Sequence, residues 1–242
     1  MSMVYDVEQF KEDLFRLEIS LSDAQIQQFI TYYELLIKWN GFMNLTAITE
    51  YKEVLKKHFV DSLSLVKVCD LKEAISLIDV GTGAGFPGLP LKIAFPNLKV
   101  TLLDSLNKRI QFLDEVIQKL GLTDIHTVHG RAEDFAKPES LREQYDICVS
   151  RAVANMTTLS EYCIPFVKKG GIFVSYKSEK LFEEKREAEK AISILGGCVE
   201  KEIKFSLPNS DICRVLFVIR KIEASPNKYP RKAGLPVKEP LI

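Results

Sequence analysis

Apolar positions recur at helical spacing through the first third of the chain and then break into short runs. Ile26, Phe29, Ile30, Tyr33, Leu36 and Ile37 lie mostly three or four residues apart, which gathers them on one face of a helix. Ser22 followed by Gln25 makes a capping box at its start, and Asn40-Gly41 predicts its end. A second stripe, through Val54, Leu55, His58, Phe59, Ser62, Leu63 and Val66, predicts a helix beginning after Thr49.

From residue 75 onward, short apolar runs alternate with helical stretches, the pattern of β–α units on a parallel sheet. The runs predict strands over 75–80, 99–104, 125–129, 145–150 and 172–177, and helices over 108–120, 157–169 and 178–195. Gly121 stops the first of these helices. Two alternating segments, 199–207 and 214–222, flank a Pro-Asn-Ser-Asp turn, which predicts an antiparallel hairpin ending a mostly parallel sheet. Dinucleotide folds usually finish with parallel crossovers, whereas a terminal hairpin resembles the Rossmann-like class I fold of S-adenosylmethionine-dependent methyltransferases. The expected architecture is α/β, with an N-terminal helical extension over 1–72 and a Rossmann-like domain over 73–242. The last stretch, with Pro226, Pro230, Pro236 and Pro240, is expected to run over the surface as a loop.

Composition adds exclusions. At 46% apolar and 27% charged, the chain is neither disordered nor collagen-like. The five cysteines (Cys69, Cys148, Cys163, Cys198, Cys213) form no C-x-x-C, so they are expected to be reduced, without zinc or disulfide. His58, His126 and His129 lack metal-ligand spacing and are expected to be structural or surface histidines, with no metal bound. The longest aliphatic-aromatic run, Val215 to Ile219, is far short of the ~20 residues of a membrane span, and the start has no signal pattern. A cytoplasmic protein without a membrane partner is expected. The 33 basic and 33 acidic residues balance overall. The tail, however, carries Arg220, Lys221, Lys228, Arg231, Lys232 and Lys238 against only Glu223 and Glu239, a local charge compatible with a polyanion.

Candidate chemistry centres on Asp79-Val80-Gly81-Thr82-Gly83-Ala84-Gly85-Phe86-Pro87-Gly88, a strand end, a turn and a helix start. Glycines there admit close approach of a ligand, and the turn offers unpaired amides. Gly83, Gly85 and Gly88 also fit G-x-G-x-x-G, which keeps a nicotinamide or flavin enzyme open. Asp104, at the end of the second strand, suits ribose hydroxyls in either case. Asp79 discriminates: it suits the ammonium of S-adenosylmethionine but would repel a pyrophosphate. The cluster His129 to Asp134 follows the third strand, where an acid or amide can read an adenine edge. Arg151 ends the fourth strand and points towards the reaction site, unless a neighbouring acid holds it. No N-P-P-Y-like motif or Pro-Cys nucleophile follows that strand, which fits attack by a ring nitrogen that needs positioning more than a base.

Taken together, Asn44-Leu45-Thr46, HFVDSL from His58, DVGTGAGFPGLP from Asp79, LLDSLNKR from Leu102, GRAE from Gly130, SRAV from Ser150 and YPRKAG from Tyr229 resemble the RsmG family, also called GidB. The resemblance runs in order over nearly the whole chain, with Leu235 departing from a tail pattern that often has threonine. It implies a bacterial 16S ribosomal RNA methyltransferase acting at N7 of guanine 527, with S-adenosylmethionine as cofactor and S-adenosylhomocysteine as product. Its cofactor contacts fall on Gly81, Phe86, Ala132, Glu133 and Arg151, to which the residue reading adds Asp79, Gly83, Gly85 and Asp104. Arg151 is also the catalytic candidate. Tyr229, Arg231 and Lys232 become candidates for RNA contact, a merely packed tail being the alternative. The expected partner is 16S rRNA or the small ribosomal subunit, met by a monomer. Two rivals stay open: a nicotinamide oxidoreductase, and a ribosome-assembly binder without turnover.

Overall fold

The computed structural model describes residues 5–73, 75–178 and 182–241, without the side chains of 182–185. The first four residues of the start, and 179–181 of the helix expected over 178–195, lie outside the described residues.

Helices α1 (Glu8–Arg16) and α2 (Asp23–Asn40) come first, and α2 carries the expected capping box on Ser22 and Gln25. The next helical segment is not uniform. It runs as α3 (Tyr51–Val54), a π turn (Leu55–Val60), α4 (Asp61–Leu63) and a 3-10 turn (Ser64–Lys67). The π turn widens the coil by one residue, a departure that apolar spacing does not register and that recurs at functional sites.

Among the described residues seven strands follow, in the order β3-β2-β1-β4-β5-β7-β6. Strands β1 (Ser76–Val80), β2 (Lys99–Asp104), β3 (Ile125–His129), β4 (Tyr145–Arg151) and β5 (Val167–Lys177) are parallel. Strands β6 (Gly197–Ser206) and β7 (Cys213–Lys221) form the antiparallel hairpin, β7 pairing with β5. Helices α5 (Gly88–Ala94), α6 (Asn107–Leu120), α7 (Ala132–Phe135), α8 (Met156–Cys163) and α9 (Phe182–Ile194) connect them. The helix expected over 157–169 is shorter: Pro165 lacks an amide and disfavours α geometry before it, so α8 gives way to a 3-10 turn and β5 starts at Val167.

Side chains alternate between the two faces of the sheet. Leu77, Leu216 and Val218 join Phe10, Phe29, Leu36 and Phe59 in one core, so the N-terminal helices share a hydrophobic interior with the sheet. Ile78, Val80, Phe217 and Ile219 face α8, α9 and Tyr229 in the other. The tail departs from the surface loop expected: Tyr229 is buried against that second face, and Gly234 is followed by a short helix, α10 (Leu235–Lys238).

Candidate cofactor and catalytic site

Two cavities lie at the carboxyl ends of β1, β2 and β4, and Gly81 lines both. The larger, about 610 Å³, is bounded by the glycine turn, His58, Asp61, Arg109, Arg151 and Arg214. The smaller, about 220 Å³, is lined by Asp104, Gly130, Ala132, Glu133, Val153 and Tyr162 among others. Ligands of open α/β sheets bind at this edge, where successive loops diverge.

The turn after β1 is braced from within. Asp79 is fully buried, and its Oδ2 accepts from Thr82 Oγ1 at 2.7 Å and from the Gly88 amide at 2.8 Å. Its Oδ1 has no partner among the described residues. Burial pushes this carboxyl up to about 6, against the pull of those two hydrogen bonds and of Arg151. Gly83 has φ +61°, and a Cβ there would meet nothing within 4 Å because it would project into the larger cavity. At Gly81 (φ +70°) a Cβ would lie 2.6 Å from Val153 Cγ2. Gly85 is pressed against Leu89 and Tyr32, whose hydroxyl donates to the Ala84 carbonyl. A helix of the N-terminal segment thus supports the turn directly.

Asp104 is buried at the end of β2. Its Oδ2 accepts from the Gly83 amide at 2.9 Å and from Arg109 Nη1 at 3.2 Å, and Oδ1 from the Leu106 amide at 2.9 Å. A carboxylate offers about four acceptor sites, so three are taken and room for a further donor remains. Ala132 and Glu133 are buried beside it in the smaller cavity. The open glycine cradle, Asp104 at the end of β2 and Glu133 in α7 fit an adenosyl cofactor, and the orphan Oδ1 of Asp79, buried behind the turn and lining neither cavity, adds a negative charge on the side of an amino-acid moiety.

Arg151 is fixed on several sides. Its Nη1 donates to Asp61 Oδ2 at 2.9 Å and to the Lys57 carbonyl at 3.3 Å, and the guanidinium lies 5.0 Å over the Phe86 ring. Arg214, on β7, donates from Nε to Asp61 Oδ1 at 3.0 Å. His58 stacks on Phe86 with centroids 4.5 Å apart, and its ring nitrogens face Thr46 Oγ1 at 2.8 Å and Arg151 Nη2 at 3.4 Å. Burial first, and the adjacent Arg151 second, lower its pKa to about 3, so the imidazole is neutral.

Of the residues expected to bind cofactor, Gly81, Gly83, Phe86, Asp104, Ala132, Glu133 and Arg151 line one of the two cavities, whereas Asp79 and Gly85 line neither and brace the turn. The tail candidates are placed differently. Tyr229 is buried, and Arg231 makes a bidentate pair with the buried Glu161, Nη2 to Oε2 at 2.7 Å and Nε to Oε1 at 3.0 Å. Lys232 alone of the three is exposed. Asp61, Arg214 and Thr46 join the site without having been expected there, and His58 is part of it rather than a structural or surface histidine. The available signal was HFVDSL, which puts His58 and Asp61 three residues apart and so on one helical side. Among the described residues no group of three or more His, Cys, Asp or Glu is arranged to hold a metal, and no helix is long and apolar enough to cross a membrane.

Solved structures share the fold at low identity. A SAM-dependent methyltransferase from Aquifex aeolicus superposes with a TM-score of 0.51 at 20% identity, over 69% of this chain and 92% of that one. TYW2 of M. jannaschii, solved with AdoMet, gives 0.50 at 17% identity over 62% and 71%. Among curated proteins, the ribosomal RNA small subunit methyltransferase G of Lachnoclostridium phytofermentans is 55% identical over 96% of both chains. That of Listeria monocytogenes is 51% identical over 97% of this chain and 98% of its own. The GidB family model, described as rRNA small subunit methyltransferase G, matches residues 25–213. The chain belongs to this family of small-subunit ribosomal RNA methyltransferases.

Proposed function

We propose that the protein transfers a methyl group from S-adenosylmethionine to N7 of a guanine in 16S rRNA, guanine 527 by the family resemblance. The observation that carries the choice of atom is the state of the titratable groups in the larger cavity. His58 is a weak base, its pKa lowered to about 3, with both ring nitrogens facing partners; Asp61 is held by two guanidiniums, Tyr176 and Lys177 donate to the Ser62 and Ala154 carbonyls, and arginine cannot act as a base. No group named there is poised to take a proton. Guanine N7 already carries an in-plane lone pair and loses no proton on methylation, whereas an exocyclic amine must shed one.

Bound S-adenosylmethionine supplies an electrophilic methyl on a sulfonium. The glycine turn, Asp104 and Glu133 bind and orient the cofactor, and the unpaired Oδ1 of Asp79 lies behind the turn as the counter-charge for its ammonium. Arg151, held by Asp61 and stacked on Phe86, positions either the methionine carboxylate or the base. Guanine offers O6 beside N7 as a second acceptor, and Arg109, Arg151 and Arg214 give the cavity a donor-rich wall. Methyl transfer moves one positive charge from sulfur to the purine ring, so the net charge held in the cavity is unchanged by the reaction. The base must enter the cavity edge-on, so an unpaired or flipped guanine is the substrate.

Tritiated methyl transfer to small ribosomal subunits tests this reading. Label in 16S rRNA is expected. Tight binding of a nicotinamide dinucleotide with no label transferred would favour the oxidoreductase, and subunit binding without turnover would favour the assembly factor.

A further inference from the structure

The YPRKAG segment of the tail carries basic residues, yet its best-defined contacts run inward. The Gly234 amide donates to Glu133 Oε1 at 3.0 Å. Glu133 is buried and lines the smaller cavity together with Asp104 and Gly130. Gly234 adopts φ +82°, a conformation that glycine takes without strain and that directs this amide to Glu133. Three residues earlier, Arg231 grips Glu161 through its backbone amide at 2.7 Å and its guanidinium. Glu161 adjoins Tyr162, another residue of the cavity wall. Thr158, one turn earlier on α8, donates to the Pro236 carbonyl at 3.1 Å. The tail is anchored upstream by Arg142, which donates to the Ala136, Ser225 and Tyr229 carbonyls at 2.9, 2.5 and 2.7 Å. The segment therefore straps α7 to α8 across the outside of the smaller cavity and ends on an acid in its lining.

We propose that Arg231 and Gly234 are positioning residues for the adenosyl pocket, acting through Glu161 and Glu133, and that the tail motif serves cofactor affinity. This rests on the reading that the smaller cavity takes the adenosyl end of S-adenosylmethionine. A buried carboxylate uses hydrogen bonds to fix its rotamer, and without the Gly234 donor Glu133 loses the contact that holds Oε1. Coupling is reciprocal: a ligand that favours the ordered Glu133 also favours the ordered tail.

The substitutions separate the parts. Gly234→Pro removes the donor and cannot adopt φ +82°, whereas Gly234→Ala keeps the donor and meets nothing within 4 Å but is strained at that φ. Calorimetry with S-adenosylhomocysteine on the full chain is expected to show about tenfold weaker binding for Gly234→Pro and Arg231→Ala. Lys232→Ala should stay within about threefold of wild type, and Gly234→Ala, which keeps the donor under strain, should fall between wild type and Gly234→Pro. In methyl transfer, KM for S-adenosylmethionine should rise with kcat retained at saturation. Should Gly234→Pro fold poorly, the wild type still reports: S-adenosylhomocysteine should slow tryptic cleavage at Lys228 and Lys232. Wild-type affinity in Gly234→Pro and Arg231→Ala, or trypsin sensitivity unchanged by the ligand, would overturn the proposal. A wild-type chain that binds no S-adenosylhomocysteine would instead refute the cofactor reading on which it rests.

Discussion

Arg151 Nη1 donates to Asp61 Oδ2 at 2.9 Å, tying the carboxyl end of β4 to α4 of the N-terminal segment. Asp61 is almost fully buried and pairs through its other oxygen with Arg214 on β7. One carboxylate therefore bridges two guanidiniums that come from strands at different positions in the sheet, and the cluster keeps one net positive charge. The N-terminal helices accordingly complete the wall of the larger cavity as well as sharing the core.

Removing that carboxylate should be costly. Asp61→Ala leaves two guanidiniums without their counter-charge, and breaking a buried pair costs about 3–5 kcal/mol. Urea denaturation should show a loss of this order with an unchanged m-value. A loss under about 1 kcal/mol would mean that solvent already screens the cluster.

Two glycines of the same turn should fail in different ways. Gly83→Val places a branched side chain in the open cavity at φ +61° and should abolish S-adenosylhomocysteine binding while far-UV circular dichroism stays native. Gly88→Val drives its side chain into Leu102 and Asp79 and should destabilise the fold by roughly 1–3 kcal/mol or more. Normal cofactor affinity in Gly83→Val would leave the turn a packing device only.

Cofactor affinity should depend on pH through Asp79. Its pKa is raised to about 6 from 3.8, so between these values the native state keeps a proton that the unfolded chain releases. Its contribution to stability is therefore present at low pH and is lost as pH rises through about 6. An ammonium near Oδ1 favours the carboxylate, so affinity for S-adenosylhomocysteine should rise between pH 5 and 7 with release of a proton. Calorimetry in buffers of different ionisation enthalpy reads that proton, and Asp79→Asn should remove it. A flat affinity over this range in the wild type would contradict the assignment.

Arg151→Lys keeps the charge but loses the planar fork that meets Asp61, Lys57 and His58 together. Single-turnover methyl transfer should slow by about tenfold to a hundredfold, equivalent to roughly 1.4–2.7 kcal/mol. Full activity would remove Arg151 from the positioning role.

The parts of the fold that were legible in the sequence are those set by local rules. The strands over 99–104 and 125–129 coincide with β2 and β3, the capping box forms on Ser22, and the terminal hairpin closes the sheet. The glycine turn and the acid after β2 could be read because both lie at strand ends on one edge. What escaped depends on partners distant in the chain. Arg231 reads as a free cation until Glu161, seventy residues away, is seen to hold it. His58 reads as a background residue until Phe86 and Arg151 close around it. Helical periodicity likewise gives no sign of the π turn over Leu55–Val60, because one added residue leaves the apolar stripe nearly intact.

The most direct test of the central claim is the position of the methyl group itself. Small ribosomal subunits from a strain lacking the enzyme are methylated in vitro, and their 16S rRNA is treated with borohydride and aniline, which cleave the chain at N7-methylguanosine. A single new scission at guanine 527, dependent on both enzyme and S-adenosylmethionine, is the predicted result. Incorporated label without aniline-sensitive cleavage would place the methyl on another atom and contradict the account.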